Sequence, residues 1–264
     1  MTLSVLGCGW LGLPLAAYFA AKKDRVSGST TSLEKLPRLQ SLGIVPYLID
    51  LADPDDRTLD NFCASDYLII AHPPKDRQNA YPEAIQHLLA HTPGSTVVIL
   101  ISSTSVYPNS DGEVDETTPV TFENTPRPHI LKAEETVRTF SSKHLILRCA
   151  GLMGYDRLGV RYFQDKTVPA ADTPVNQVHR DDVIEAIAAL IRSNVFGTYN
   201  LCAPKHPTKK KLYAREAEVT GLICPEFEPG IEKSKVVDGG KVCRDTGFAY
   251  RYPDPMRFAQ ASGG

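Results

Sequence analysis

The chain has 264 residues, 42% of them hydrophobic and 23% charged, with a formal net charge of −2. That length supports a sizeable core, and the near-neutral balance excludes the global basic field expected of a nucleic-acid binder. The longest apolar runs, such as TVVILI at 96–101, have strand length and are too short to span a bilayer, so no membrane association is expected.

Six cysteines stand at 8, 63, 149, 202, 224 and 243 without a C-x-x-C spacing, which points to no metal, no redox pair and a reduced, cytoplasmic setting. Residues 2–6, TLSVL, read as a first strand, leaving no room for a signal peptide ahead of it. GCGWLG follows at 7–12, and LPLAAYFAAKK then places Leu15, Tyr18 and Phe19 at helical steps. Strand, glycine turn and helix in succession give G-x-G-x-x-G its meaning as a dinucleotide site. Gly7 permits the sharp reversal, and Gly9 lets a pyrophosphate approach the backbone. Gly12 lets the helix pack closely on its strand. Trp10 and Leu11 complete the turn, and the helix start turns its N–H groups and positive dipole end to the phosphates. Without a ligand the same residues would be a glycine-rich turn and nothing more.

A second strand is expected at 24–29, followed by Thr30, Thr31 and Ser32, with Lys35 close behind, and a helix over 33–43. The acidic residue that binds the ribose of NAD, some twenty residues past the glycine turn, is absent. Hydroxyls in its place favour NADP, with NAD possible, and the same three residues can serve as helix caps. A third strand at 45–49 ends in Asp50 and Leu51, placed to meet the adenine. A fourth at 66–71 runs into His72 and Pro73, at the carboxyl end where ligands sit in open α/β sheets. A helix at 80–90 and a fifth strand at 96–101 ending at Ser102 complete the alternation. The pattern predicts an α/β chain, a Rossmann doubly wound parallel sheet.

From Ser102 onward the chain resembles the extended short-chain dehydrogenases/reductases of the NAD-dependent epimerase/dehydratase family. The resemblance lies in SSTSVYPNSDGEVDE at 102–116, LKAEETV at 131–137, LRCAGLMGYDR at 147–157, VHRDDVIEAI at 178–187 and GTYNLCAP at 197–204, in the family's order. It is nearest to the compact, atypical members grouped as nucleoside-diphosphate-sugar epimerases, which the closing segment GGKVCRDTGFAYRYPDP also resembles. The resemblance implies a nicotinamide dinucleotide held by the residues above and by Ser102 and Lys132. It implies Ser103 as the hydroxyl that polarises the substrate and Lys132 as the catalytic lysine. It also implies that Tyr107 and Arg157 meet the substrate.

One departure stands out. The family's Y-x-x-x-K keeps its lysine as Lys132, but Pro128 occupies the tyrosine position and has no proton to give. His129, three residues before Lys132, either takes over the proton transfer or fronts a helix without chemistry.

The expected layout is a Rossmann domain over 1–158 to which 174–203 returns, and a small C-terminal substrate lobe from 159–173 and 204–260. In the lobe, Thr208 caps a helix to about 220 whose first lysines form a solvated face, and 224–228 reads as an edge strand. The expected function is that of an NAD(P)-dependent oxidoreductase or epimerase acting on a hydroxyl or ketone of a small or nucleotide-sugar substrate. The alternative is an NADP-binding redox sensor without turnover.

Overall fold

The computed structural model describes residues 1–51, 58–74 and 80–263. Its main sheet has seven strands in the order β10-β7-β5-β4-β1-β2-β3. These are β1 Thr2–Leu6, β2 Arg25–Thr30, β3 Val45–Leu48, β4 Tyr67–Ile70, β5 Val97–Ser103, β7 His144–Cys149 and β10 Gly197–Leu201. The pairings β1–β2, β2–β3, β1–β4 and β4–β5 are parallel. The chain thus winds outward through β2 and β3 on one side of β1 and restarts at β4 on the other, the Rossmann order anticipated from the alternation. Such a reversal opens a crevice at the carboxyl ends of β1 and β4.

The chain divides into two compact units. The first comprises Met1–Ser102, Thr121–Leu147 and Phe196–Thr198, and the second Ser103–Val120, Arg148–Val195 and Tyr199–Gly264. In the first unit the helices are α1 Gly12–Ala21, α2 Leu36–Ser41, α3 Leu59–Cys63, α4 Tyr81–Ala90 and α5 Pro128–Phe140. Leu6, Ile70, Val98 and Leu100 from strands meet Phe62, Ile85, Leu88 and Val137 from helices in one buried cluster. Fully burying each such side chain stabilises by roughly 1.5–3 kcal/mol. The helix expected over 33–43 is a 3₁₀ turn at Leu33–Lys35 followed by α2, whose first turn contains Pro37. A proline is tolerated there because the N–H it lacks would have no partner in a first turn.

The second unit holds α6 Arg180–Ser193, α7 Lys209–Thr220 and α8 Lys241–Thr246. Two short parallel pairs belong to it, β6 Gly112–Val114 with β11 Lys235–Val237, and β8 Gly151–Met153 with β9 Gln177–His179. Asn176 reinforces the first pair's surroundings, donating from Nδ2 to the Lys235 carbonyl at 2.8 Å and accepting from the Val237 N–H at 2.9 Å. The Thr208 side chain caps α7 as expected, accepting from the Lys211 N–H at 3.3 Å. The edge strand expected at 224–228 is instead a single bridge between Val168 and Phe227. Pro225 and Pro229 flank that stretch and remove the N–H groups a longer ladder would need.

Candidate cofactor and substrate sites

In the first unit the glycine turn emerges from the fully buried end of β1. Gly7 has φ +87°, a conformation that disfavours a side chain, and the Cβ of any replacement would meet the His72 backbone at 3.1 Å. This places His72, at the end of β4, directly behind the turn. A Cβ at Gly12 would fall 2.2 Å from the Gly7 carbonyl oxygen, while a Cβ at Gly9 would meet nothing within 4 Å. Closure behind and open space in front is the shape a pyrophosphate requires, so the residues fit a dinucleotide. Leu11 precedes α1 without a side-chain cap, which leaves the helix start to its dipole. Trp10 stands partly exposed beside Gly9.

One contributor was not anticipated. The Ser29 hydroxyl accepts from the Gly7 N–H at 2.9 Å, and its carbonyl accepts from the Cys8 N–H at 2.7 Å. Ser29 is 2% exposed, so this serine of β2 anchors the turn from within the sheet. The buried hydroxyl in RVSGST was the available signal, but the register that brings it to Gly7 cannot be read without the fold.

Beyond β2, Thr30 is buried and its hydroxyl accepts from the Ser32 N–H at 3.2 Å, closing a local turn. Ser32 precedes the 3₁₀ turn without a side-chain cap, so the capping role considered for these hydroxyls is not realised. Thr31 and Lys35 are exposed and Ser32 half-buried. Asp50 lies exposed just past β3, whereas Leu51 packs on the buried cluster. The His72 carbonyl accepts from the Tyr81 hydroxyl at 3.1 Å, and Pro73 is exposed.

Helix α5 begins at Pro128, its first residue, where a missing N–H costs nothing. His129 follows, half-buried, with its imidazole held below the ordinary histidine range by burial and by the nearby Arg127 charge. Lys132 extends instead to Glu83 of α4, Nζ to Oε1 at 3.1 Å, both side chains more than half exposed. An exposed pair of this kind contributes little, about 0–1 kcal/mol. Ser102 is nearly buried, and its hydroxyl donates at 2.6 Å to Glu134 Oε1. Glu134 is fully buried and also accepts from Arg138 Nη2 at 2.8 Å.

The second unit holds the other expected residues. Ser103 is half-buried, its hydroxyl accepting from the Ser105 N–H at 3.1 Å in a 3₁₀ turn, Thr104–Val106. Tyr107 was expected to meet the substrate. It is 0% exposed, its hydroxyl donates to Asn200 Oδ1 at 2.9 Å, and the Arg148 guanidinium lies 4.7 Å from its ring centroid. In this structure it offers no edge to a ligand. Arg157, half-buried, closes a two-residue hairpin with Gly154 through paired backbone bonds of 2.9 and 3.0 Å.

Within that hairpin Tyr155 donates its hydroxyl to Asp181 Oδ2 at 2.5 Å. Asp181 lies in the first turn of α6, whose cap residue His179 accepts from the Asp181 N–H at 3.2 Å. His179 is fully buried against Tyr252, with ring centroids 3.9 Å apart, and burial depresses its pKa to about 4. The H-x-x-D segment therefore acts as a helix start and packing centre. Its final residue, Asp182, accepts from the Arg251 and Tyr252 N–H groups at 2.8 and 3.0 Å.

Among the described residues no His/Cys/Asp/Glu group is suited to a metal, no helix is long and apolar enough to cross a membrane, and all six cysteines are free.

The sheet order and the glycine turn define a Rossmann-type α/β fold. The chain belongs to the family of protein YeeZ of Escherichia coli K12, to which it is 35% identical over 268 residues covering 96% of this chain and 97% of YeeZ. No family model matches it. Among solved structures, a Methylobacillus flagellatus protein described as an NAD-dependent epimerase/dehydratase is 25% identical with a TM-score of 0.80, over 98% of this chain and 96% of that one. UDP-glucuronic acid 4-epimerase of Bacillus cereus, in complex with UDP-glucuronic acid and NAD, is 18% identical with a TM-score of 0.78, over 99% and 98% of the two chains. The dTDP-glucose 4,6-dehydratase of Bacillus anthracis, in complex with NAD, is 14% identical with a TM-score of 0.79, over 98% and 96%. These last two likenesses are of fold.

Proposed function

We propose that this chain binds a nicotinamide dinucleotide at the glycine turn and oxidises or epimerises a carbinol of a nucleotide sugar. The observation that carries the reading is the open space at Gly9, backed by a Gly7–Gly12 contact that no side chain can enter. Gly7, Gly9, Trp10, Leu11 and Gly12 hold the pyrophosphate. Thr30, Thr31, Ser32 and Lys35 hold the ribose end, Asp50 and Leu51 the adenine, and His72, Pro73 and Lys132 the nicotinamide half. The bound group supplies a hydride acceptor or donor. Ser103 orients the substrate hydroxyl and Arg157 its anionic part. With no acidic residue among 30–32, NADP is the preferred form. The six free cysteines go with a cytoplasmic setting.

Gly9→Val tests the site, since a Cβ there meets nothing within 4 Å and the fold should stay intact. Calorimetry should show NADP binding to the wild type, at least as tightly as NAD, and none to the variant. Unchanged affinity in a folded Gly9→Val protein refutes the site, and a clear preference for NAD refutes the ribose reading. UDP-glucuronic acid and dTDP-glucose, which the structural neighbours' names supply, are the first substrates to try. A second reading, binding without turnover, is favoured by one observation, the proline at position 128.

A further inference from the structure

Resting on the reading of the glycine turn as a dinucleotide site, we propose that Ser29 is a positioning residue of that site, setting the shape in which the turn meets a pyrophosphate. Ser29 and the turn both belong to the first unit. Ser29 is the next-to-last residue of β2 and stands in register with Tyr47 of β3 on the side away from β1. Its hydroxyl and its carbonyl take the two N–H groups with which the turn begins, Gly7 at 2.9 Å and Cys8 at 2.7 Å.

The residues on either side of Ser29 are fitted to the same turn. Gly28 pairs with Val5 of β1, and a Cβ on it would meet Cys8 Sγ at 2.7 Å and Ile44 Cγ2 at 2.8 Å. The missing side chain is therefore the room that the Cys8 thiol occupies, and that thiol donates to the Val5 carbonyl at 3.7 Å. Thr30 ends the strand, and its hydroxyl accepts from the Ser32 N–H in the loop read as the ribose end. Three consecutive residues of β2 thus seat the Cys8 side chain, hold the backbone of the turn and shape the loop beyond it.

The hydrogen bonds of the turn show what the serine does. The Gly7 and Cys8 N–H groups are spent on β2, and the Gly9 N–H closes on the Gly7 carbonyl at 2.8 Å. The N–H groups of Leu13 and Leu15 bond to the Gly9 and Leu11 carbonyls, each at 3.1 Å, which starts α1 directly after the turn. Ser29 itself is 2% exposed, so its hydroxyl acts on a ligand through Gly7 and not by touching it. Gly7 holds φ +87°, and without the hydroxyl its N–H would lose its acceptor within the sheet. A turn already fixed in its binding shape spares the ligand the cost of ordering it.

The test uses the full chain and two variants, Ser29→Ala and Ser29→Cys, the second close to serine in size but a weak acceptor. Calorimetry with NADP, run well below each variant's melting temperature, should show affinity reduced at least about fivefold, the fold-change that one net hydrogen bond represents. Amide hydrogen exchange gives a readout free of ligand. The Gly7 amide should exchange at least about tenfold faster in both variants, while the Cys8 amide, held by the main-chain carbonyl, keeps its protection. A serine with only a structural role would speed exchange along β1 and β2 together and leave the affinity of the folded protein alone. Should Ser29→Ala fail to fold, Ser29→Cys carries the measurement. A smaller loss of affinity in a folded variant, or unchanged exchange at Gly7, overturns the role of Ser29 while the cofactor reading stands. A wild type that binds neither NADP nor NAD strikes the cofactor reading itself, and the positioning role with it.

Discussion

Gly12 and Gly7 touch so closely that a Cβ at position 12 would lie 2.2 Å from the Gly7 carbonyl oxygen. The helix and the turn are locked by that contact, whereas Gly9 between them faces empty space. Gly12→Ala should therefore cost about 1–3 kcal/mol or more through overpacking. Gly9→Ala should stay within about 0.5 kcal/mol. Denaturant midpoints of the two variants check the contrast, and equal values would show that the turn relaxes freely.

Ser102 was expected to meet the cofactor, and its hydroxyl is committed to the buried Glu134 carboxylate. Ser102→Ala removes a hydrogen bond to a charged group and should destabilise by roughly 1.5–3 kcal/mol. Dinucleotide affinity should hardly change, because the hydroxyl acts within the unit. A stable variant with weakened dinucleotide binding would instead restore Ser102 to the ligand contacts.

For His129, burial first and the Arg127 charge second hold the imidazole below its ordinary value of 6.5. It is neutral at pH 7 and able to accept a proton rather than give one. NMR titration of its ring should give a midpoint under 6.5, absent in His129→Ala. If the rate against pH keeps its shape in that variant, His129 fronts the helix without chemistry.

The carboxyl of Glu216 is 1% exposed and accepts from the Val160 N–H at 2.7 Å, and burial raises its pKa to about 7. The raised value means the protonated form suits the fold. Its stabilisation is complete below the unfolded value of 4.5 and is lost as pH rises through about 7. The difference is on the order of 3 kcal/mol. Asp182, raised by burial to about 6, acts in the same sense, while His179, depressed to about 4, works against stability as pH falls through that value. Glu216→Gln should flatten the stability profile between pH 4.5 and about 7, by denaturation across that range. An unchanged slope would mean the carboxyl is solvated.

The course of the chain was legible where strand and turn chemistry are local. TLSVL before GCGWLG gave β1 and α1, and VHRDDVIEAI gave the start of α6. The three-residue strands β6, β8, β9 and β11 were not legible, because runs so short carry no period and form by pairing with distant partners. Glu216 was passed over inside KKKLYAREAEVT, which looks solvated. Yet Leu212, Tyr213, Glu216 and Ala217 share one face by their three- and four-residue spacing, and that face is buried. The burial of Tyr107 was not legible for a related reason. Its position in the motif was plain, but its side chain's partner Asn200 lies 93 residues away.

Pro128 occupies the one kind of helical position at which the backbone is indifferent to side-chain class. It is exposed and begins α5, so its ring supports nothing that another residue would have to replace. The absence of a phenol at position 128 is thus a matter of one side chain and not of the scaffold. Pro128→Tyr should fold with a stability within about 1 kcal/mol of the parent. Any rise in turnover would measure how much a phenol alone adds to the present framework.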